Sequence, residues 1–212
     1  RRPSSSLREF FIDGPKRDRL PWAGDLYLGL QCNAYSFAER GVVERSLTVL
    51  YGEDPRLCDV SGIIDYSLWW AIALRDYVAC FGDLRYLARA RPLLLRLLEA
   101  LEAREDADGF LTKAEGAWLF IDWAQIDKSG ISSCLQWVYV MALEAAAEAL
   151  AWSGDGDLAA RYRRKAEALR LRARQRFWVA TRRCFVDGAT GGKRSSHVSR
   201  HANFLAVLRS EE

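Results

Sequence analysis

Three carboxylates, two arginines and a tryptophan fall within thirteen residues, Asp13-Gly14-Pro15-Lys16-Arg17-Asp18-Arg19-Leu20-Pro21-Trp22-Ala23-Gly24-Asp25. Two prolines and two glycines in that stretch forbid a regular helix, so it forms a loop. Clustered carboxylates suit acid–base chemistry: one held neutral can give a proton while an ionised neighbour accepts hydrogen bonds. Their mutual repulsion raises pKa values, as a general acid working near neutrality requires. A simpler reading uses the same residues structurally. Asp25 would N-cap the following helix, Arg17 would pair with Asp18 on the surface, and Trp22 would plug the core.

Other candidates are thinner. His197 and His201 lie at i and i+4, a spacing that can hold a metal on one helix face, but no third ligand accompanies them. Arg200, His201 and Asn203 fit better as the start of a helix whose N-terminal end faces a pocket. Of the eight tryptophans, Trp69, Trp70, Trp118, Trp123, Trp137 and Trp152 are core residues by default. Trp118 and Trp123 lie on a connector and are the ones placed to stack on a ligand. Five cysteines, Cys32, Cys58, Cys80, Cys134 and Cys184, show no C-x-x-C spacing, and are expected to be buried, reduced thiols. No phosphate-binding glycine loop, Gly-x-Ser-x-Gly or Cys-His pairing is present.

The elements that must position these residues are helical. Helices are expected over Asp25–Glu39, Val42–Tyr51 (ended by Gly52), Ile64–Phe81 and Leu84–Glu102, with Pro92 predicting a kink or break in the last. Ile64–Phe81 is apolar almost all round and must be enclosed, whereas Leu84–Glu102 carries one apolar stripe and a wet face. The same couplet returns as Ile131–Trp152 and Asp157–Trp178. Each joint, Phe81-Gly82-Asp83-Leu84 and Ser153-Gly154-Asp155-Gly156-Asp157, offers glycine to end one helix and aspartate to cap the next. A buried helix followed by a half-exposed one, repeating every ~70 residues, predicts helical hairpins arranged as an α/α barrel. The connectors Asp108–Leu111, Trp118–Trp123 and Cys184–Gly188 gather at one end, where a site would form. The chain is taken as a single helical domain over residues 1–212. Its N-terminal Arg1-Arg2-Pro3-Ser4-Ser5-Ser6 and C-terminal Arg209-Ser210-Glu211-Glu212 resemble cut ends, not caps.

The loop resembles the signature segment of the α-L-rhamnosidases of glycoside hydrolase family 78, Asp-x-Pro-x-Arg-acid-Arg-Leu-x-Trp-x-Gly-Asp. Asp13, Pro15, Arg17, Arg19, Leu20, Trp22, Gly24 and Asp25 match it at the same spacing. Asp122-Trp123 resembles the family's Asp-Trp in a later connector, and the helix bearing Asp65, Trp69 and Trp70 falls in the corresponding place. This resemblance implies an all-α (α/α)6 barrel, with about seven of its twelve helices in this chain. It implies an inverting hydrolase that removes terminal α-L-rhamnose. Asp18 would be the general acid, and Asp13, Arg17, Trp22, Asp25, Asp122, Trp123 and Trp69 would bind substrate. One position departs from the family, which has glutamate where this chain has Asp18, and the shorter side chain reaches about 1.5 Å less far. The family's general base has no counterpart after the Trp123 connector, so the chain alone is expected to hydrolyse little or nothing. The rest of the barrel or accessory β-domains would complete it.

Composition bounds the rest. The net charge of +3 and the dispersal of basic residues argue against a nucleic-acid partner. No run of about 18 uncharged apolar residues argues for a membrane span, and no signal-peptide pattern follows the first residues. A cytoplasmic location is therefore the expectation, with no cofactor or metal and a rhamnose-containing glycoside as partner. Two rivals stay open: a non-catalytic carbohydrate-binding or scaffold remnant, and an α/α-barrel glycosidase for another sugar.

Overall fold

A computed structural model describes residues 10–14, 16–51, 59–113 and 116–208. Cys58, Gly52, Pro15 and both expected cut ends lie outside the described residues.

Seven α-helices carry the fold among the described residues: α1 Ala23–Tyr35, α2 Arg40–Tyr51, α3 Ile64–Phe81, α4 Leu84–Glu102, α5 Ser133–Trp152, α6 Gly156–Phe177 and α7 Arg200–Val207. The odd-numbered helices pack on one another in sequence, α1 on α3, α3 on α5 and α5 on α7, while α2, α4 and α6 lie behind them. This is the inner and outer layering of the (α/α)6 toroid, followed over an arc. α3 and α5 are buried nearly all round, α5 from Ser133 to Leu150 with few gaps. By length and composition α5 could cross a membrane, but 83% of its apolar window is buried inside the protein, so it is a core helix.

The joints explain the hairpins. Gly82 takes a left-handed φ of +64° and closes α3 onto the Val78 carbonyl, then Asp83 caps α4 by accepting from Tyr86 N at 3.0 Å. The second joint differs from expectation. Asp155 sits at the N-cap of α6 but makes no cap bond; its carboxylate takes a two-pronged bond from Arg91 on α4, at 2.5 and 2.8 Å. That pairing satisfies both oxygens and ties consecutive outer helices together. Arg75 on α3 reaches Glu148 on α5 at 2.9 Å, a matching tie between inner helices. α4 continues through Pro92 without a break, its stripe of Leu87, Ala90, Leu94, Leu97 and Leu101 buried on both sides of the proline.

Two small sheets, unforeseen in the alternation pattern, stitch the connectors. β1 Ile131–Ser132 pairs antiparallel with β4 Gly188–Thr190, which pairs with β5 Lys193–Arg194; β2 Trp178–Val179 pairs with β3 Cys184–Phe185. Consequently α5 begins at Ser133, two residues later than periodicity suggests. The described cysteines are all free, and burial holds for Cys134 alone: Cys184 is half-buried, while Cys32 and Cys80 are exposed.

Candidate functional site

The chemistry-bearing loop is closed by its own first carboxylate. Asp13 N donates to the Leu20 carbonyl at 3.1 Å, and the Asp13 carboxylate accepts from Asp18 N at 3.2 Å and Leu20 N at 3.3 Å. Arg17 N closes a tighter turn on the Gly14 carbonyl. With its side chain only 1% exposed, Asp13 is spent on the loop itself and does not reach the cavity wall. The two other acids do. Asp25, in the first turn of α1, and Asp18, at the loop tip, both line a cavity of about 650 Å³. Arg17 lies between Asp13 and Asp25, its guanidinium 3.6 Å from the first and 3.9 Å from the second. Of the three structural alternatives two fail, and the third holds only in that Trp22 packs against the edge of the core. Trp22 occupies the N-cap position of α1 in place of Asp25, and no side-chain cap bond forms there. Arg17 pairs with Asp13 and Asp25, while Trp22 is half-buried on the cavity wall.

Opposite the loop stands the connector Trp118–Trp123. Ile63, just before α3, forms a parallel bridge to Trp118, and Ile64 N donates to the Trp118 carbonyl at 3.0 Å. The next turn of the connector is held by Asp65. This wholly buried carboxylate accepts from Phe120 N at 2.8 Å and Ile121 N at 3.0 Å. Lys128 completes the clasp from the other side, donating to the carbonyls of Phe120 and of Asp122, the latter at 3.0 Å. The clasp holds Ile121 at φ +55°, a conformation that a β-branched residue adopts only when its surroundings impose it. The result presents Asp122 and Trp123 to the cavity, Trp123 with 77% of its surface free. Phe120 is the hub of the aromatic wall, edge-on to Trp118, Trp123 and Tyr66 at 5.5, 5.0 and 5.8 Å between centroids. Trp69 lines the same cavity and leans on Tyr27 at 4.9 Å.

Burial raises the Asp25 pKa above its ordinary value; Arg17 opposes this, while the charges on Asp13 and Asp18 add to it. The raised acid in the cluster is thus driven first by desolvation and only then by like charge. Tyr66 is pushed up to about 12, by burial first and then by Asp25 and Asp65, so it enters any chemistry as a neutral hydroxyl.

The structure therefore brings Arg17, Asp18, Trp22, Asp25, Trp69, Asp122 and Trp123 to one cavity, and leaves Asp13 behind it. Trp118, expected on the connector to face a ligand, lines the cavity too, and Tyr27, Tyr66 and Phe120 join the wall unforeseen, with Asp65 and Lys128 supporting the wall from outside. His201, the second residue of α7, stands 3.4 Å from Asp122, so the N-terminal end of α7 does face the site. His197 precedes α7 and bonds Asp187 at 2.5 Å. The two histidines serve different carboxylates and do not share a helix face.

A family model described as the bacterial alpha-L-rhamnosidase 6 hairpin glycosidase domain matches residues 3–209. Among solved structures, one titled as a rhamnosidase from Klebsiella oxytoca with rhamnose bound superposes with a TM-score of 0.79 at 29% identity. It covers 94% of this chain and 40% of its own. A GH78 family rhamnosidase of Bacillus sp. GL1 gives a TM-score of 0.83 at 27% identity, over 94% of this chain and 22% of that one. The chain thus spans well under half the length of either neighbour. No curated protein matches it.

Proposed function

Because the chain belongs to the bacterial α-L-rhamnosidase six-hairpin glycosidase domains, we propose that its cavity receives a terminal α-L-rhamnose and that Asp18 protonates the departing glycosidic oxygen. The observation that carries this reading is the gathering of Arg17, Asp18, Asp25 and Asp122 with four tryptophans around one cavity. A deoxy-sugar has a methyl group and a C–H face that stack on indole, and hydroxyls that bond best to carboxylates. Trp22, Trp69, Trp118 and Trp123 offer the first, Asp25 and Asp122 the second. Arg17 fixes Asp25, and Asp13 acts through the loop it closes. Asp18 is exposed at the cavity mouth, where a leaving group departs and a spent acid regains its proton from water. Inversion also needs a second carboxylate that activates water on the opposite face of the sugar. No residue of this chain is assigned that role, so hydrolysis belongs to a protein that supplies it, and this chain alone binds.

Titration of the chain with L-rhamnose, followed by tryptophan fluorescence, tests the binding. Asp25→Asn is expected to weaken it by about tenfold or more, the value of a charge-assisted hydrogen bond. An unresponsive wild-type chain overturns the reading. In an active rhamnosidase carrying this domain, Asp18→Asn is expected to abolish turnover of an aryl α-L-rhamnoside while sparing sugar binding; undiminished turnover removes Asp18 from its role.

A further inference from the structure

A second cleft, of about 710 Å³, opens where α6 ends, lined by Asp108, Phe110, Arg172, Gln175, Arg176, Gly192, Lys193 and Arg194. Four cations there face a single carboxylate. α6 runs back along α5 from the Ser153–Asp155 joint, so its C-terminal end lies at the connector end of the fold, the same end as the rhamnose cavity. The two groups of lining residues share no member.

The arginines divide into two kinds. Arg194 is committed to the fold, since its Nε and Nη2 donate to the carbonyls of Arg176 and Gln175, both at 2.8 Å, closing the last turn of α6. Arg172 and Arg176 are one helical turn apart and are not committed in this way. The Nε of each is buried without a hydrogen-bond partner among the described residues. A guanidinium partly withdrawn from water and unmatched by a carboxylate is costly, and its remaining donors are left to face the cleft. The packing makes room for this arrangement. A Cβ on Gly109, itself at φ +75°, would lie 2.9 Å from Arg172 Nη2 and 3.5 Å from its Cζ, so only glycine lets the guanidinium lie against the turn. Below them Phe110 is buried against Phe177, giving the cleft an apolar floor. A paired guanidinium fork over an apolar floor suits a planar or tetrahedral oxyanion carried on a ring.

We propose that this cleft is a binding site for an oxyanion-bearing saccharide, its carboxylate or sulfate seated between Arg172, Arg176 and Lys193. The assignment of an oxyanion stands on the cleft alone; that a saccharide carries it rests on the glycosidase reading.

The test follows the arginine Nε–H resonances of the intact chain during titration with glucuronic acid, inorganic sulfate and glucose. Glucuronate and sulfate are expected to shift the signals of Arg172 and Arg176, and glucose to leave them unmoved. Arg172→Ala/Arg176→Ala is expected to lose at least about tenfold in anion affinity, while Arg163→Ala/Arg164→Ala, which removes the same charge from the exposed face of α6, keeps it. Arg176→Gln, a smaller change, gives a second reading should the double variant not fold. A response to sulfate without one to glucuronate assigns the cleft to tetrahedral oxyanions. Equal response to glucose overturns the proposal, as do unchanged anion affinity in the double variant and an equal loss in the exposed-face control. L-Rhamnose titrated into the same samples separates the two sites: the double variant retains it if the first reading stands, and a wild-type chain deaf to rhamnose but responsive to anions fails only that reading.

Discussion

Asp65 holds the wall of the candidate site, and its removal should be felt there first. In the native chain its two oxygens serve two amides, Phe120 N–H and Ile121 N–H, at 2.8 and 3.0 Å, from a wholly buried position. Asp65→Ala leaves both donors without an acceptor, and each orphaned donor costs about 1–3 kcal/mol. The loss is therefore about 2–6 kcal/mol, a large part of the stability of an ordinary domain. The left-handed Ile121 has a bias of its own, about 1–2 kcal/mol towards an ordinary backbone, which the clasp now resists. Asp65→Asn keeps one acceptor oxygen but turns an amide donor towards the other N–H, for about 1–3 kcal/mol. It also relieves the chain of a buried charge, since burial holds the Asp65 pKa above its ordinary value against the pull of the two amides. Asparagine should thus be the milder change. Hydrogen exchange at Phe120 and Ile121 reads the clasp directly, and urea unfolding reads its contribution to the whole. An alanine variant within about 0.5 kcal/mol of wild type, with those two amides still protected, would refute the clasp.

Three further outcomes follow from the same geometry. Gly130→Ala should destabilise by about 2 kcal/mol or more, because its Cβ would lie 2.4 Å from the Ala189 carbonyl oxygen at the β1–β4 pairing; thermal unfolding measures it. Gln136→Leu should cost about 2–4 kcal/mol in urea unfolding, since its buried amide both donates to and accepts from the Leu111 backbone, each at 2.9 Å. Asp83 has its pKa lowered, chiefly by the Tyr86 N–H, so its stabilisation is full above the unfolded value of 3.8 and is lost as pH falls below it towards the folded value. Asp83→Asn should therefore flatten the acid limb of the stability–pH curve below about pH 4.

Much of the fold was legible because its signals are local. The bounds of α3 and α4 coincide with the sequence pattern, since Gly82 and Asp83 mark a stop and a start by backbone preference alone. The candidate loop was legible for another reason: many fixed residue types at fixed spacing. What escaped depends on distant partners. Asp155 carries a capping residue's signature yet is claimed by Arg91, sixty-four positions away. Asp13 looks like its neighbouring acids, and only the closed loop shows that its oxygens face inward. Strands of two or three residues are too short to show alternation. Ile121 gives no warning of its left-handed backbone, because a β-branched side chain is the last expected there. Tyr66 was hidden in an apolar helix whose periodicity does not say which aromatic faces the cavity.

The toroid also explains why acids gather at one end. Consecutive inner helices run parallel, because each is separated from the next by one outer helix running back, so their N-termini meet on a shared rim. A helix N-terminus carries roughly half a positive charge and four unpaired N–H groups, which favours carboxylates in the first turn. Asp25 is the third residue of α1 and Asp65 the second of α3, so both lie in that favourable field while burial works against their charge. The opposition has a use. Half-burial raises the Asp25 pKa while Arg17 and its own helix amide pull it down, so its proton affinity answers to changes in either neighbour. On the outer helices the same geometry is reversed, and α6 ends on that rim with Arg174 and Arg176 in its last turn, cations at a negative pole. Alternating helix direction thus accounts for the acids that open α1 and α3 and the bases that close α6 on one face, while α5 and α7 open without an acid and α2 and α4 close without a base.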